Sequence, residues 1–215
     1  MTLNYNYFTL FHGNSSVWLI FMKEKILREF KESIEVKERF IQGHLETVIE
    51  VSKAIASTFN EGNKIILFGN GGSASDASHI SAEFVNRFKR ERPGLPAIAL
   101  NTDMAVITSI ANDYDYSEIF SRQLKPLAVE GDIVIAISTS GNSPNVIKAM
   151  DVARKKKLKT VFLTGARGEK SASKATYSFI VPSENTARIQ ETHITLGHVI
   201  CLMVEEILFE EPRKK

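Results

Sequence analysis

An imidazole and a carboxylate stand four residues apart in the stretch GSASDASHISAEF, where Glu83 follows His79. In an α-helix the residues at i and i+4 project from one face, so both side chains would face the same ligand. Such a pair can exchange protons with a substrate or bind a divalent metal ion. The spacing therefore predicts a chemical site on this helix.

A second set of polar side chains lies near the carboxyl end of the chain, in RIQETHITLGH. Steps of four residues drift by only about 40 degrees each around a helix, so Gln190 and His198 share a broad face. Together with His79 and Glu83 they would supply two imidazoles, a carboxylate and an amide oxygen. Such a four-coordinate set accepts zinc, although a glutamine is a weak, neutral ligand.

Two turns have the composition of anion-binding sites. Asn70, Gly71, Gly72 and Ser73 follow a short apolar run and open a helix, where backbone amides would face a ligand unsatisfied. The second turn, STSGNS at 138–143, supplies four hydroxyls and a glycine before Pro144. It lacks the lysine of a nucleotide P-loop, which favours a phosphorylated small molecule over ATP. Ser143 taken alone would be interpreted as a helix cap.

Short apolar strands alternate with helical segments through the rest of the chain. We predict strands at 65–68, 97–100, 132–137, 160–163 and 177–181, and helices that include 104–111, 116–127, 144–156 and 186–209. This alternation is typical of an α/β fold with a doubly wound parallel sheet flanked by helices. Ligands bind beyond the carboxyl ends of such strands, so the turns at Asn70, Asp103 and Ser138 should share one pocket.

The amino-terminal part differs from the rest. From 23 to about 59, apolar residues recur at intervals of three and four, which predicts one or two amphipathic helices. Their apolar stripe is longer than a small sheet can cover, which favours contact with another subunit. Residues 1–21 show neither charge nor a clean period. We interpret 1–21 as an extraneous or disordered extension and 22–215 as a single domain.

Composition excludes several classes of protein. The chain of 215 residues has 43% hydrophobic content and a net charge of +2, which suits one core and small ligands rather than nucleic acid. The apolar run at 17–22 is too short to span a bilayer. Cys201 is the single cysteine, so the chain cannot form an internal disulfide, and a cytoplasmic location fits.

The segments GNGGSASDASHISAEF, ALNTD, ANDY, ISTSGNSPNVIKA and ARIQETHITLGH together resemble the sugar isomerase (SIS) domain of the phosphoheptose isomerase family. The resemblance covers nearly everything after Met22. It implies a homotetramer of flavodoxin-like subunits, with active sites between subunits. These enzymes isomerise sedoheptulose 7-phosphate to D-glycero-D-manno-heptose 7-phosphate, in the synthesis of ADP-heptose and lipopolysaccharide.

The resemblance also implies roles for individual residues. Glu83 and His198 match the catalytic acid-base pair, and one zinc ion per subunit would be bound by His79, Glu83, Gln190 and His198. His193 is not among the family's ligands, so we interpret it as structural. The implied substrate contacts are Asn70, Gly71, Gly72, Ser73, Glu83, Thr102, Asp103, Ser138, Thr139, Ser140, Ser143 and Gln190. A metal-bound carboxylate is a weaker base, so the two roles of Glu83 are in tension.

Two other functions fit parts of the sequence. Gly69, Gly71 and Ala74 match a dinucleotide-binding fingerprint, and Asp103 could be the acidic residue that closes the second strand. A dinucleotide site does not require the hydroxyl-rich second turn, which disfavours this reading. The same domain also resembles DiaA, a tetrameric adaptor that binds the replication initiator DnaA. An adaptor has no need of His198 beside Glu83, so we favour the isomerase.

Overall fold

The computed structural model describes residues 15–209 of the chain. Seven α-helices and five strands make up this part. In chain order they are α1 Ser15–Asn60, β1 Ile65–Gly69, α2 Gly72–Val85, β2 Ala97–Ala99, α3 Met104–Asp113, α4 Ile119–Leu127, β3 Ile133–Ser138, α5 Pro144–Lys155, β4 Lys159–Gly165, α6 Glu169–Ala172, β5 Tyr177–Val181 and α7 Thr186–Phe209. Short 3-10 turns precede α4 and α6.

The five strands form one parallel sheet in the order β2-β1-β3-β4-β5. Every neighbouring pair is parallel, and Ile65 of β1 lies opposite both Ala97 of β2 and Ile133 of β3. The order reverses direction at β1, as in flavodoxin-like sheets, which leaves a crevice beyond the carboxyl ends of β1 and β3. The predicted doubly wound α/β class is confirmed.

The sheet separates two apolar layers because successive side chains of a strand point to opposite faces. Ile65, Leu67, Ile135 and Val161 face a core built with α1, α2 and α7. On the other face, residues such as Phe68 pack against α3, α4 and α5. Burial on both faces explains why β1 and β3 are apolar along their whole length.

Helix α1 is one helix of 46 residues where the sequence left open one or two. It begins at Ser15, so it passes through the predicted boundary at 21/22, and residues 15–21 are helical. No glycine or proline interrupts 15–42, so nothing in the sequence stops the helix there. The rest of the predicted extension, 1–14, lies outside the described residues, and its extraneous origin stays a prediction.

Helix α7 closes the core and carries the carboxyl-terminal polar set. Within the described range it is the one helix long and apolar enough to cross a membrane by length and composition. Its residues Ile189, Leu196, Ile200 and Val204 are buried against the sheet, α1 and α2. We therefore interpret α7 as the core helix of a globular domain.

Candidate active site

Three side chains from two helices, α2 and α7, meet in one cluster. Nε2 of His79 lies 3.2 Å from Oε1 of Glu83, one turn further along α2. Nε2 of His198, on α7, lies 3.0 Å from Nε2 of His79. The ligating atoms of all three lie within 4.8 Å of one another. The structure thus brings together three of the four residues predicted to bind metal.

Close packing of α2 against α7 makes this meeting possible. A Cβ added to Gly197, the residue before His198, would lie 2.5 Å from Cδ1 of Ile80, the residue after His79. A larger side chain would push the helices apart, because real side-chain atoms do not approach so closely. Gly197 therefore sets the helix separation at which the two imidazoles come within contact distance.

The geometry of the cluster fits a divalent metal. Zinc bonds of about 2.0–2.2 Å in a tetrahedral arrangement place the ligand atoms roughly 3.3–3.6 Å apart. The observed separations of 3.0 and 3.2 Å are close to that value. Two imidazoles and a carboxylate are also donors that zinc prefers. The residues present therefore fit the ion that the family implies.

Gln190, the fourth predicted ligand, lies in the second turn of α7. Its side chain packs against the beginning of α2. A Cβ added to Gly72 would lie 2.2 Å from Nε2 of Gln190. Gly72 is thus the residue that allows the carboxamide to rest against the glycine-rich turn. The structure leaves the role of Gln190 as a metal ligand a prediction.

The glycine-rich turn is held by side chains from other turns of the same sheet edge. The amides of Asn70 and Asn145 exchange two hydrogen bonds of 2.9 Å, and the Tyr116 hydroxyl donates to Asn70 Oδ1 at 3.2 Å. Gly71 has φ of +55°, a conformation that side chains disfavour. Ser73 is buried beneath the turn. Sequence reasoning missed Asn145 and Tyr116, although Asn145 directly follows Pro144.

The hydroxyl-rich turn after β3 faces the same crevice. The hydroxyls of Ser138 and Ser143 are 3.0 Å apart, whereas Ser140 Oγ accepts from the Asn142 amide at 3.3 Å. Ser143 occupies the N-cap position of α5, yet its side chain makes no capping bond. The hydroxyl pairs with Ser138 instead, which disfavours the cap and leaves Ser143 as a predicted substrate contact. Thr139 and Ser140 line a small cleft with the β4–α6 turn.

The side chains of Thr102 and Asp103, directly after β2, form hydrogen bonds to backbone groups three residues away. Asp103 is the N-cap of α3, and its Oδ1 accepts from the Val106 amide at 3.0 Å. The Thr102 hydroxyl donates to the Ala99 carbonyl at 3.0 Å. A capping carboxylate is a poor match for the ribose contact that a dinucleotide enzyme would need. This arrangement disfavours the dinucleotide reading and leaves both residues as predicted substrate contacts.

An acidic residue that sequence reasoning missed lies one turn before His79. Burial raises the pKa of Asp76 to about 6, and the charge of nearby His79 opposes the rise. Its Oδ2 is buried without a hydrogen-bond partner. The signal that could have found it is the spacing of three residues from His79, which puts both on one side of α2.

His193 is separated from the cluster although it lies only five residues before His198. It is fully buried, and Nε2 lies 3.4 Å from the Thr164 carbonyl oxygen. Burial lowers the pKa of His193 to about 4, and the contact with the Thr164 carbonyl opposes this shift. A neutral core imidazole agrees with the structural role that we expected for it.

Comparisons with known proteins identify relatives over most of the chain. The family model described as SIS domain matches residues 30–165. The phosphoheptose isomerase of Thermodesulfovibrio yellowstonii is 63% identical over 194 residues, which cover 90% of this chain and 96% of that protein. That of Aquifex aeolicus is 51% identical and covers 88% and 99%. The solved phosphoheptose isomerase of Neisseria gonorrhoeae aligns with a TM-score of 0.81 at 36% identity, over 86% of this chain and 99% of that structure.

Proposed function

Since the chain belongs to the phosphoheptose isomerases of the SIS domain family, we propose that it converts sedoheptulose 7-phosphate into D-glycero-D-manno-heptose 7-phosphate through a cis-enediol. The chain is an isomerase, as the sequence predicted. The observation that supports this reaction most directly is the meeting of Glu83 and His198 with His79 on two facing helices. A base, an acid and a phosphate site are what the chemistry needs.

The proposed proton transfers use the two side chains in turn. Glu83 removes a proton from C1 of the ketose, so that the C–H electron pair forms a C1–C2 double bond and the C2 carbonyl pair moves to oxygen. His198 donates a proton to that oxygen. Glu83 then returns its proton to C2, and His198 accepts the proton of the C1 hydroxyl. The aldehyde forms at C1, and both side chains regain their starting state.

We propose that each subunit holds one zinc ion through His79, Glu83, Gln190 and His198. When bound, such an ion supplies a Lewis acid that stabilises negative charge on substrate oxygens. Glu83 would then act both as ligand and as base. Oε1 of Glu83 lies 3.2 Å from Nε2 of His79, and we assign the other oxygen to proton transfer.

The substrate's phosphate is proposed to bind at the hydroxyl-rich turn. Ser138, Thr139, Ser140 and Ser143 surround the amino terminus of α5, where backbone amides and the helix dipole favour an anion. The sugar would then extend toward Asn70, Gly71, Gly72 and Ser73, with Thr102, Asp103 and Gln190 as further contacts. This direction places C1 and C2 on the side of Glu83.

The proposed assembly is a homotetramer with active sites between subunits. Support comes from α1, which exposes a continuous apolar stripe formed by Ile26, Leu27, Phe30, Ile34, Ile41, Leu45 and Ile49. A stripe of this length normally marks a contact surface with another chain. We place the enzyme in the cytoplasm, in the synthesis of ADP-heptose for lipopolysaccharide, without nucleic acid or membrane partners. The relatives named above are isomerases, which disfavours the DiaA-like adaptor.

The test is turnover of sedoheptulose 7-phosphate by the purified protein, with and without added zinc. Glu83→Gln and His198→Ala should each lower kcat by about a thousandfold, because each removes one partner of the proton transfer. Glu130→Gln, an exposed carboxylate at the opposite end of the sheet, is the matched control and should keep full activity. Binding of the sugar phosphate without turnover under every metal condition would reject the isomerase and favour the adaptor.

A further inference from the structure

The segment 86–93, the first part of the connection from α2 to β2, is fixed to α7 by one buried carboxylate. Glu205 accepts hydrogen bonds from the backbone amides of Phe88, Lys89 and Arg90 at 2.9, 3.0 and 3.2 Å. Burial by itself would raise the pKa of Glu205, yet the amides of Lys89 and Phe88 and the Arg92 guanidinium hold it below its ordinary value. An ionised carboxylate with these partners allows the segment little freedom.

Arg92 links Glu205 to α2, the helix that carries Glu83. Its Nε donates to Glu205 at 2.8 Å, while Nη2 and Nη1 donate at 2.8 Å to the backbone carbonyls of Glu83 and Phe84. The side chains of Arg92 and Glu205 are 1% and 0% exposed. Glu205 lies two turns after His198 on the same face of α7. One buried ion pair therefore joins the helix positions of the proposed base and acid.

Phe88 lies against the imidazole of His198. The ring centroids are 5.5 Å apart and the planes are inclined by only 17°, so the two rings are stacked. His198 also meets His79 edge-on, at 5.0 Å and 61°. Phe88 thus limits rotation of the His198 ring about the bond that decides where Nε2 points.

We propose that Phe88 is a positioning residue for His198, held in place by the buried Arg92–Glu205 pair. It acts through the imidazole and does not itself touch the substrate, and as a catalytic role it rests on the proposed function. Without the Phe88 ring, His198 can leave the orientation in which its Nε2 faces His79. Both metal binding and proton transfer would then weaken, whereas binding of the sugar phosphate at the distant hydroxyl-rich turn would not.

The experiment compares Phe88→Ala, Phe88→Leu and Phe88→Tyr in the full chain. Zinc affinity is measured by competition with a chromophoric chelator, and kcat and KM are measured with zinc present. We expect Phe88→Ala and Phe88→Leu to weaken zinc binding and to lower kcat by about tenfold each, with KM within twofold. Phe88→Tyr keeps the stacked ring and should restore both. Glu91→Ala, in the same segment but with a side chain 91% exposed, is the control.

Two results would overturn the proposal. One is a zinc affinity and a visible spectrum of the Co(II)-loaded Phe88→Leu protein identical to those of the parent. The other is a Phe88→Tyr protein whose zinc affinity and kcat are as low as those of Phe88→Ala, because the stacked ring would then not be what supports His198. A role of Phe88 in packing alone would lower thermal stability without lowering kcat selectively relative to KM. If the parent itself showed no turnover, the proposed function would fail, but zinc affinity and the Co(II) spectrum would still decide whether Phe88 positions His198.

Discussion

The two ends of the parallel sheet treat buried polar groups in opposite ways. At the amino end, the buried Asp132 carboxylate accepts from the Lys64 amide, the Lys64 ammonium and the Val129 amide, at 3.0, 2.7 and 2.9 Å. At the carboxyl end, buried atoms of Asp76, Thr164 and His193 have no hydrogen-bond partner. Across residues 15–209, the other two unpartnered side-chain atoms belong to Arg188 and Glu191, near the start of α7.

This difference shows that, in the part of the chain the structure describes, the buried polar atoms without a hydrogen-bond partner are concentrated toward the carboxyl end of the sheet. A buried polar group without a partner costs free energy, so a fold concentrates such groups where they serve another purpose. Here Asp76 lies one turn before His79 on α2, whereas His193 contacts the Thr164 carbonyl in the core. We therefore expect the amino end to contribute mainly to stability and the carboxyl end to combine stability with the proposed ligand chemistry. Substitutions at the two ends should separate these contributions.

The largest expected effect is at the amino end. Asp132→Ala leaves the partly buried Lys64 ammonium and two backbone amides without their acceptor, and should lower the free energy of unfolding by about 3 kcal/mol. Chemical denaturation of parent and variant measures this change. The folded variant should keep the parent's kcat, because the substitution lies at the end of the sheet remote from the cluster.

Asp151→Ala is the control for that substitution. It removes the carboxylate that pairs with Arg154; the Asp151 side chain is 37% exposed and the Arg154 side chain 66% exposed. Such solvent-exposed ion pairs contribute little to stability. A similar loss of stability in Asp132→Ala and Asp151→Ala would mean that the buried Asp132 carboxylate stabilises the fold no more than an exposed one, which would contradict the prediction.

A second, smaller effect concerns pH and the carboxyl end. Because burial lowers the pKa of His193 to about 4 from 6.5, the unfolded chain binds a proton between these values and the folded chain does not. Stability is therefore lost as pH falls below about 6.5, and this group should account for ~2 kcal/mol at pH 5. His193→Gln removes the ionisable group and should therefore remove this part of the change in folding stability with pH.

Metal-free parent and His193→Gln should be unfolded chemically at pH 8 and pH 5. The raised pKa of Asp76 acts with the opposite sign, since stability from its protonated form is lost as pH rises through about 6. Asp76 is present in both proteins, so its contribution cancels in the difference between them. Equal changes in stability between the two pH values for both proteins would contradict the prediction.

The smallest expected effect tests the turn after β3. Ser143→Ala removes a hydroxyl that pairs with Ser138, and should raise KM for the sugar phosphate about fivefold with kcat unchanged. Stability should change by less than ~0.5 kcal/mol because Ser143 makes no capping bond, whereas loss of a working cap costs about 1 kcal/mol. Steady-state kinetics and denaturation measure both quantities.

Ser173→Ala is the control for the turn, since that exposed hydroxyl donates to the Lys170 carbonyl outside the crevice. It should leave KM unchanged. A Ser143→Ala protein with the parent's KM and a clear loss of stability would restore the capping interpretation and remove Ser143 from the proposed phosphate site.

Much of the fold was predictable because its strands are apolar throughout and end at glycine or hydroxyl residues. The predicted strand at 177–181 and helix at 186–209 have the observed bounds, and the other predicted strands differ from the observed ones by one or two residues at one or both ends. The beginning of α1 was less predictable. Residues 15–22 lack the charged period of the following helix, yet they continue it because no helix-breaking residue intervenes.

The sequence by itself determined the elements, the glycine-rich and hydroxyl-rich turns and the pairing of His79 with Glu83, because each depends on spacing within a few residues. Tertiary structure decided which histidine of α7 joins that pair. His193 and His198 lie about 140 degrees apart around the helix, so one enters the core and the other faces α2. His198 reaches His79 across 119 residues of sequence only because Gly197 lets Ile80 approach. Such contacts depend on the packing of distant elements, which no local pattern encodes.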